Sequence, residues 1–421
     1  MKTLYPLKFR LILKTVVWGG EKIAPFKGIE TEQHNIGESW ELSGVKGNES
    51  VVSEGELAGR TITDLIDEYK GALVGGKVYA ENGNVFPLLI KFIDAKSDLS
   101  IQVHPDDRLA AERHNSKGKT EMWYVVGADE GAHLLSGLNR DLTPEEYVSM
   151  VENNTITDAL TDFKVKPGDV FFLPAGRIHA IGTGCFIAEI QQTSDITYRI
   201  YDYGRLGLDG KPRELHTELA KDAIDYKVYP EYKTAYEEKA NEENRLVSCK
   251  YFTTTQLDID KPLVKDLSGL DSFLVVICIE GSGELVDNED GNEIRVPVHK
   301  GCFVYKILYS HIKGQYHGFT EKRFPVAVAP AVGQAGIKIF SQPHAVLKGA
   351  RFLYIVGKVN KRFKRTHTCA SGSMPANAGY DLGQGKFGKI PLCCGSRRLC
   401  VKQLGGILSV IRVGRYAEFT A

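Results

Sequence analysis

Apolar residues come in short runs broken by turns, a pattern of strands more than of long helices. Residues 1–100 alternate such runs with turns around one helical stretch, Thr63-Asp64-Leu65-Ile66-Asp67-Glu68-Tyr69, where a threonine opens helical spacing. Two further segments, 106–114 and 144–160, read as helices. The second has Pro144 in its first turn, and Glu145 and Glu146 near its positive end. Strands are predicted at 99–103, 121–126, 170–173 and 186–191, expected to form one sheet. A helix over 215–224 leads into a charged, tyrosine-rich linker at 226–244. A second β unit then starts at Arg245, with an alternating run at 251–257, an apolar run at 273–280 and the turn Gly281-Ser282-Gly283. The fold class is mainly β: two β units with an inserted or flanking helical part.

Composition adds a seam to this picture. With 421 residues, 43% hydrophobic and 25% charged, the chain matches a soluble globular protein of more than one domain. No apolar stretch is long enough to cross a bilayer, and Met1-Lys2-Thr3-Leu4-Tyr5-Pro6 lacks the apolar centre of a signal peptide, so a cytoplasmic location is expected. The net charge of +0 hides two unlike segments. Residues 1–300 hold 34 basic and 50 acidic residues, a balance of −16, whereas 301–421 hold 19 and 3, a balance of +16. Of eight cysteines, five lie beyond residue 301, and no spacing suggests a disulfide framework or a thiolate metal site. The domain reading is therefore a first unit over 1–240, a truncated or altered second unit over 245–301, and an atypical basic tail over 302–421. Clusters such as Lys361-Arg362-Phe363-Lys364-Arg365 would suit an arm that tracks phosphates. The abrupt loss of acids and of periodicity favours a shifted reading frame or an assembly artefact, and no nucleic-acid or membrane partner is expected.

Three stretches carry the chemistry: Gln102-Val103-His104-Pro105-Asp106-Asp107, Gly118-Lys119-Thr120-Glu121-Met122-Trp123-Tyr124, and Leu173-Pro174-Ala175-Gly176-Arg177-Ile178-His179-Ala180. Together they supply two imidazoles, a carboxylate and a side-chain amide. Residues two apart on a strand share a face, which pairs Gln102 with His104 and Lys119 with Glu121. A single histidine or glutamate in a strand is more often a hydrogen-bonded or surface group; the joint pattern is what points to a mononuclear metal site. Nitrogen and oxygen donors without thiolate favour zinc or another first-row divalent ion. No glycine-rich loop has phosphate-loop spacing, so no nucleotide cofactor is expected, and Ser39 lacks the following glycine of a nucleophile elbow.

The run 166–179 places a Pro167-Gly168-Asp169 turn, a buried strand, a Pro174-Ala175-Gly176 turn and then His179, and resembles the second metal-binding motif of the cupins. A narrower resemblance follows from the three stretches above taken with Trp18-Gly19-Gly20, Gly37-Glu38-Ser39-Trp40-Glu41, Phe86-Pro87-Leu88-Leu89-Ile90-Lys91-Phe92-Ile93-Asp94-Ala95 and Glu189-Ile190-Gln191-Gln192 through Ser194-Asp195-Ile196-Thr197-Tyr198-Arg199. In this order, over about residues 1–300, they are similar to the short bacterial form of the type I phosphomannose isomerases. The resemblance implies two cupin-like jelly-roll barrels, the second lacking a His, Glu, His set and expected to pack and shield. It also implies one zinc per chain on Gln102, His104, Glu121 and His179, and a motif arginine at Arg199.

The implied reaction interconverts mannose 6-phosphate and fructose 6-phosphate. Moving a carbonyl between C1 and C2 passes through an enediol-type species with negative charge growing on oxygen, for which Arg199 and Lys119 are the candidate stabilising cations. A proton must also leave C2 and return at C1; Asp195, Glu189, Lys119 and a metal-bound water qualify by type, with Asp195 or Lys119 preferred. Arg199, Arg205 and Lys91 are candidates for the substrate's phosphate. Two other readings remain at this point, an iron-dependent cupin dioxygenase and a non-enzymatic sugar-binding module. No oligomeric state follows from the sequence, and a monomer is compatible with it.

Overall fold

The computed structural model describes residues 4–267, 269–289, 292–306, 336–341, 350–358, 399–404 and 407–412. The basic cluster at 361–365 and most of the tail lie outside these. Contacts divide the chain into Met1–Lys361 and Arg362–Ala421. In the latter, Leu399–Leu404 pairs antiparallel with Ile407–Arg412.

The first unit contains two antiparallel sheets that carry the site. One has six strands in the order Ile12–Gly20, Ile36–Ser43, Leu88–Asp94, Cys185–Gln192, Glu121–Ala128 and Val170–Leu173. The other has five, in the order Tyr198–Tyr201, Ile101–Val103, His179–Ile181, His133–Leu138 and Leu160–Lys164. One sheet was expected from the strand runs; the pairing instead puts Ile101–Val103 in the second sheet and Glu121–Ala128, Val170–Leu173 and Cys185–Gln192 in the first. The reason is non-local. The strand Leu88–Asp94 pairs with Cys185–Gln192 across almost a hundred residues, while Gln102 pairs with His179. Trp18, Ile93, Trp123, Leu134, Phe171 and Ile181 come from both sheets and pack into one cluster, as two inner faces of a small barrel should.

Helices cover the outside. Ile62–Tyr69 starts at Thr61, whose side chain and Asp64 form a reciprocal capping box, so the cap lies two residues before the Thr63 expected. Asp107–His114 is capped by Asp106. The long helix expected over 144–160 begins at Pro144 but ends at Glu152, because Asn154 turns left-handed (φ +56°), and only a short 3-10 turn, Ile156–Ala159, follows. Thr217–Ala223 packs against the five-stranded sheet through Ala220 and Ile224.

A second pair of sheets follows the linker. Its five-stranded member has the order Asn244–Ser248, Phe252–Ile259, Ala350–Gly357, Leu274–Glu280 and Phe303–Lys306. The four-stranded member consists of Leu263–Asp266, Gly336–Ser341, Ser282–Glu289 and Asn292–His299. Three of these nine strands lie beyond residue 301. Phe273, Val275, Ile277, Tyr305, Leu353 and Ile355 of the second pair share one apolar cluster with Leu7, Phe86 and Phe92 of the first. No helix among the described residues is long and apolar enough to cross a membrane.

Candidate metal centre and active site

Register decides which side chains meet inside the first barrel, because directly paired residues on neighbouring strands point to the same face. Across the five-stranded sheet, Arg199, Gln102, His179 and Ser136 form one such row. Across the six-stranded sheet, Trp40, Lys91, Glu189 and Trp123 form another, and Glu121 lies beside Gln191. His104 stands just past the end of its strand, where the Pro174-Ala175-Gly176 turn holds it: Gly176 N donates to His104 O at 2.9 Å. Gly176 has φ +92°, a conformation that glycine adopts without steric cost.

These placements converge His104, Glu121 and His179, whose ligand atoms all lie within 4.8 Å of one another in buried surroundings. His179 Nε2 is 3.2 Å from Glu121 Oε1, and His104 Nε2 is 3.6 Å from Glu121 Oε2. The other ring nitrogens are committed: Nδ1 of His104 donates to Ile196 O (2.9 Å) and Nδ1 of His179 to Arg177 O (2.8 Å). A carbonyl can only accept, so both Nε2 atoms present lone pairs to the carboxylate. Burial, with Lys119 nearby, holds the His104 imidazolium well below its usual range and brings His179 to about 3, so both rings are neutral at neutral pH. Burial and the Glu189 carboxylate push Glu121 upward, with Lys119 and Lys91 pulling it back. Both oxygens of Glu121 and Nε2 of His179 lack hydrogen bonds. Two neutral imidazoles around an unsatisfied buried carboxylate fit a divalent cation. Gln102 is the direct neighbour of His179 in the row, where its amide can add an oxygen donor.

The other expected residues fall into three situations. Lys119 is at the cluster itself, with Nζ 3.0 Å from His104 Nε2 and 2.9 Å from Glu121 Oε2, the latter an ion pair outside hydrogen-bond alignment. Glu189 faces the same interior, accepts from Trp123 Nε1 (2.7 Å) and pairs with Lys91 (3.1 Å). Burial opposes its ionisation, but Lys91, Lys119 and the indole N–H keep its carboxyl below the usual range. Arg199 shares the row of Gln102, and its Nη1 donates to Glu214 O (3.0 Å) while its buried Nε has no partner. Asp195 is exposed in the loop after Gln192 and makes no described contact with the cluster. Of the phosphate candidates, Lys91 is spent on Glu38 and Glu189, and Arg205 on Asp202, which Arg213 also grips. Neither is a free cation.

Several residues of the site had no signal of their own in the sequence. Glu38 joins through Lys91 (3.1 Å) and Trp40 Nε1 (2.6 Å). The Ser136 hydroxyl and Gln191 Oε1 are buried and unpaired, beside His179 and Glu121 respectively. Glu38 and Gln191 lie in the motifs Gly37-Glu38-Ser39-Trp40-Glu41 and Glu189-Ile190-Gln191-Gln192, where strand alternation puts them on the faces of Trp40 and Glu189; only strand register places Ser136.

Residues 7–168 match the family described as phosphomannose isomerase type I, catalytic domain. That span includes Gln102, His104, Lys119 and Glu121. Mannose-6-phosphate isomerase ManA of Bacillus subtilis is 36% identical over 290 residues, covering 68% of this chain and 89% of the relative. Mannose-6-phosphate isomerase of Streptococcus mutans is 38% identical over 219 residues, covering 52% of this chain and 67% of the relative. Among solved structures, mannose 6-phosphate isomerase from Bacillus subtilis superposes with a TM-score of 0.67 at 30% identity, covering 83% of this chain and 99% of that one. A single-residue variant of phosphomannose isomerase from Salmonella typhimurium shares the fold, with a TM-score of 0.61 at 15% identity over 84% of this chain and 100% of that one. With its cupin-like barrels and buried His, Glu, His cluster, the chain belongs to the type I phosphomannose isomerases.

Proposed function

We propose that this chain interconverts mannose 6-phosphate and fructose 6-phosphate, using one zinc ion held by Gln102, His104, Glu121 and His179. The observation that carries the reading is the buried Glu121 carboxylate, without hydrogen bonds, facing the unpartnered Nε2 of His179 and the Nε2 lone pair of His104 on two neutral imidazoles. The ion would supply a Lewis acid for negative charge developing on the sugar oxygens. Lys119 Nζ, after its ammonium has released a proton to solvent, takes the proton from C2 as the neutral amine and returns it at C1 as the O2 proton passes to O1, completing an enediol-type transfer without a redox partner. Its place between His104 and Glu121 puts it beside anything those ligands hold. Asp195 is too exposed for that task, and Glu189 is tied to Lys91 and Trp123. Arg199, with a buried unpaired Nε in the row of Gln102, adds positive charge facing the sugar.

A coupled assay tests this. Full-length protein stripped with a chelator should show no formation of fructose 6-phosphate from mannose 6-phosphate until zinc is restored. Turnover in D2O should place solvent deuterium on the sugar, and Lys119→Met should abolish that incorporation. Absence of turnover with zinc, manganese or iron would refute the assignment, and oxygen uptake with iron would indicate dioxygenase chemistry instead.

A further inference from the structure

Asp107 joins the two β units through polar contacts, beside the apolar cluster they share. It is the first residue of the helix Asp107–His114, three positions after His104, yet the helix does not need it as a cap, because Asp106 Oδ1 already accepts from Leu109 N at 2.7 Å. Its carboxylate is instead saturated from two sides. Oδ2 accepts from Lys250 Nζ (2.6 Å) and Tyr251 OH (2.8 Å), both in the turn between the second unit's strands Asn244–Ser248 and Phe252–Ile259. Oδ1 accepts from Gln192 Nε2 (2.9 Å) and Gly118 N (3.2 Å). Gly118 permits this approach, since a Cβ there would stand 2.5 Å from Asp107 N.

Gln192 passes the contact on. Its Oε1 accepts from Thr120 N (2.9 Å), and its own N donates to Thr120 O (3.1 Å), so the residue between Lys119 and Glu121 is held on both backbone groups. Thr120 Oγ1 also accepts from Ala175 N (3.3 Å), in the turn that precedes His179. On the far side the turn is stiff: Cys249 N donates to Phe252 O (3.0 Å), and Lys358 N, just after the strand Ala350–Gly357, donates to Tyr251 O (2.7 Å).

We propose that Asp107 is a positioning residue through which the Lys250-Tyr251 turn of the second β unit sets the segment Lys119-Thr120-Glu121 at the cation site. This gives the second unit a part in the reaction beyond covering apolar surface. It rests on the reading of Lys119 and Glu121 given above. Four donors on one carboxylate fix its position, and the pair of Gln192–Thr120 hydrogen bonds converts that position into the orientation of Lys119 and Glu121.

The test compares full-length wild type with Asp107→Asn, Lys250→Met, Lys250→Arg and Tyr251→Phe. Readouts are zinc affinity by competition with a chromophoric chelator, kcat and KM for mannose 6-phosphate, and the thermal midpoint. Lys250 and Tyr251 lie in a partly exposed turn, so their variants fold even if Asp107→Asn does not. Asp107→Asn and Lys250→Met should each weaken zinc binding by about tenfold and lower kcat by a similar factor with KM within about twofold, the scale of lost outer-shell support. Lys250→Arg, which keeps the ion pair, should restore both. Zinc affinity and kcat at wild-type values with only a lowered thermal midpoint would overturn the proposal and leave Asp107 a structural staple. A wild type that binds zinc without isomerising the sugar would sink the functional assignment alone, and zinc affinity across the variants would still decide the role of Asp107.

Discussion

Replacing Lys91 by methionine tests how the barrel tolerates charge in its interior. The ammonium lies 3.1 Å from Glu38 Oε1 and 3.1 Å from Glu189 Oε1, with side-chain exposures of 9%, 17% and 3% for Lys91, Glu38 and Glu189. At an effective dielectric near 20, each contact is worth about 5 kcal/mol of attraction before desolvation, and removing one partner of a buried pair typically costs about 3–5 kcal/mol. Methionine keeps most of the volume, so the loss is electrostatic. Glu189 would lose the first of the cations that keep it ionised, and Glu121 one of the two that offset its burial. Lys91→Met should therefore destabilise the first barrel by about 3 kcal/mol or more, and adding Glu189→Gln should recover about 1–2 kcal/mol of that. Urea unfolding followed by tryptophan fluorescence reads the right transition, since all three tryptophans, Trp18, Trp40 and Trp123, lie on strands of the first barrel's six-stranded sheet. A cost below about 1 kcal/mol, or single-variant costs that simply add in the double variant, would refute the buried-triad reasoning.

Glu121→Gln keeps the shape of the ligand but removes its charge; zinc content after dialysis should fall to background and turnover should vanish, and retained zinc would contradict the ligand assignment. Burial opposes ionisation of Asp107, but Lys250, Gln192 and Tyr251 together bring its carboxyl from 3.8 to about 2. A carboxyl lowered on folding stabilises above its unfolded value and loses that contribution as pH falls from about 4 to about 2; the full linkage of about 2.5 kcal/mol shrinks to about 1 kcal/mol for a side chain this exposed. The stability gap between wild type and Asp107→Asn should therefore close over that interval, and a constant gap down to pH 2 would exclude the pairing. A chain ending at Gly301 loses Phe303–Lys306 and Ala350–Gly357, so its thermal midpoint should drop by well over ten degrees or the protein should aggregate; an unchanged midpoint would mean that these strands contribute nothing to the fold.

The sequence shows its local devices well and its long-range pairings poorly. The strands at Val170–Leu173 and Cys185–Gln192, the helix opened by Pro144 and the His, Glu, His set each come from a short motif whose periodicity or turn residues act within about ten positions. The split of the proposed ligands between two sheets depends on Gln102 meeting His179 and Glu189 meeting both Lys91 and Trp123, pairings set by closure of the whole barrel. Lys91 looked like a free cation for phosphate because nothing near it in sequence shows that two carboxylates bracket it. Ala350–Gly357 could not be read as a central strand of the second unit, since its partners Phe252–Ile259 and Leu274–Glu280 lie more than seventy residues upstream and the intervening text has lost strand periodicity.

Charge inside the first barrel explains why these ligands suit a cation and a sugar phosphate together. The interior holds three carboxylates, Glu38, Glu121 and Glu189, against two ammonium groups, Lys91 and Lys119, with both imidazoles neutral, leaving a balance of −1. A negative balance on side chains this buried is costly, and Glu121 carries the strain as a carboxyl pushed upward. A proton on Glu121 would relieve it but would spoil the ligand, whereas a divalent cation turns the balance to +1 and keeps all three carboxylates ionised. Arg199, in the adjacent row, brings the local total to +2. A phosphomonoester carries about −1.5 to −2 at neutral pH, so a cation-loaded site of this composition attracts such a substrate and approaches neutrality when it binds.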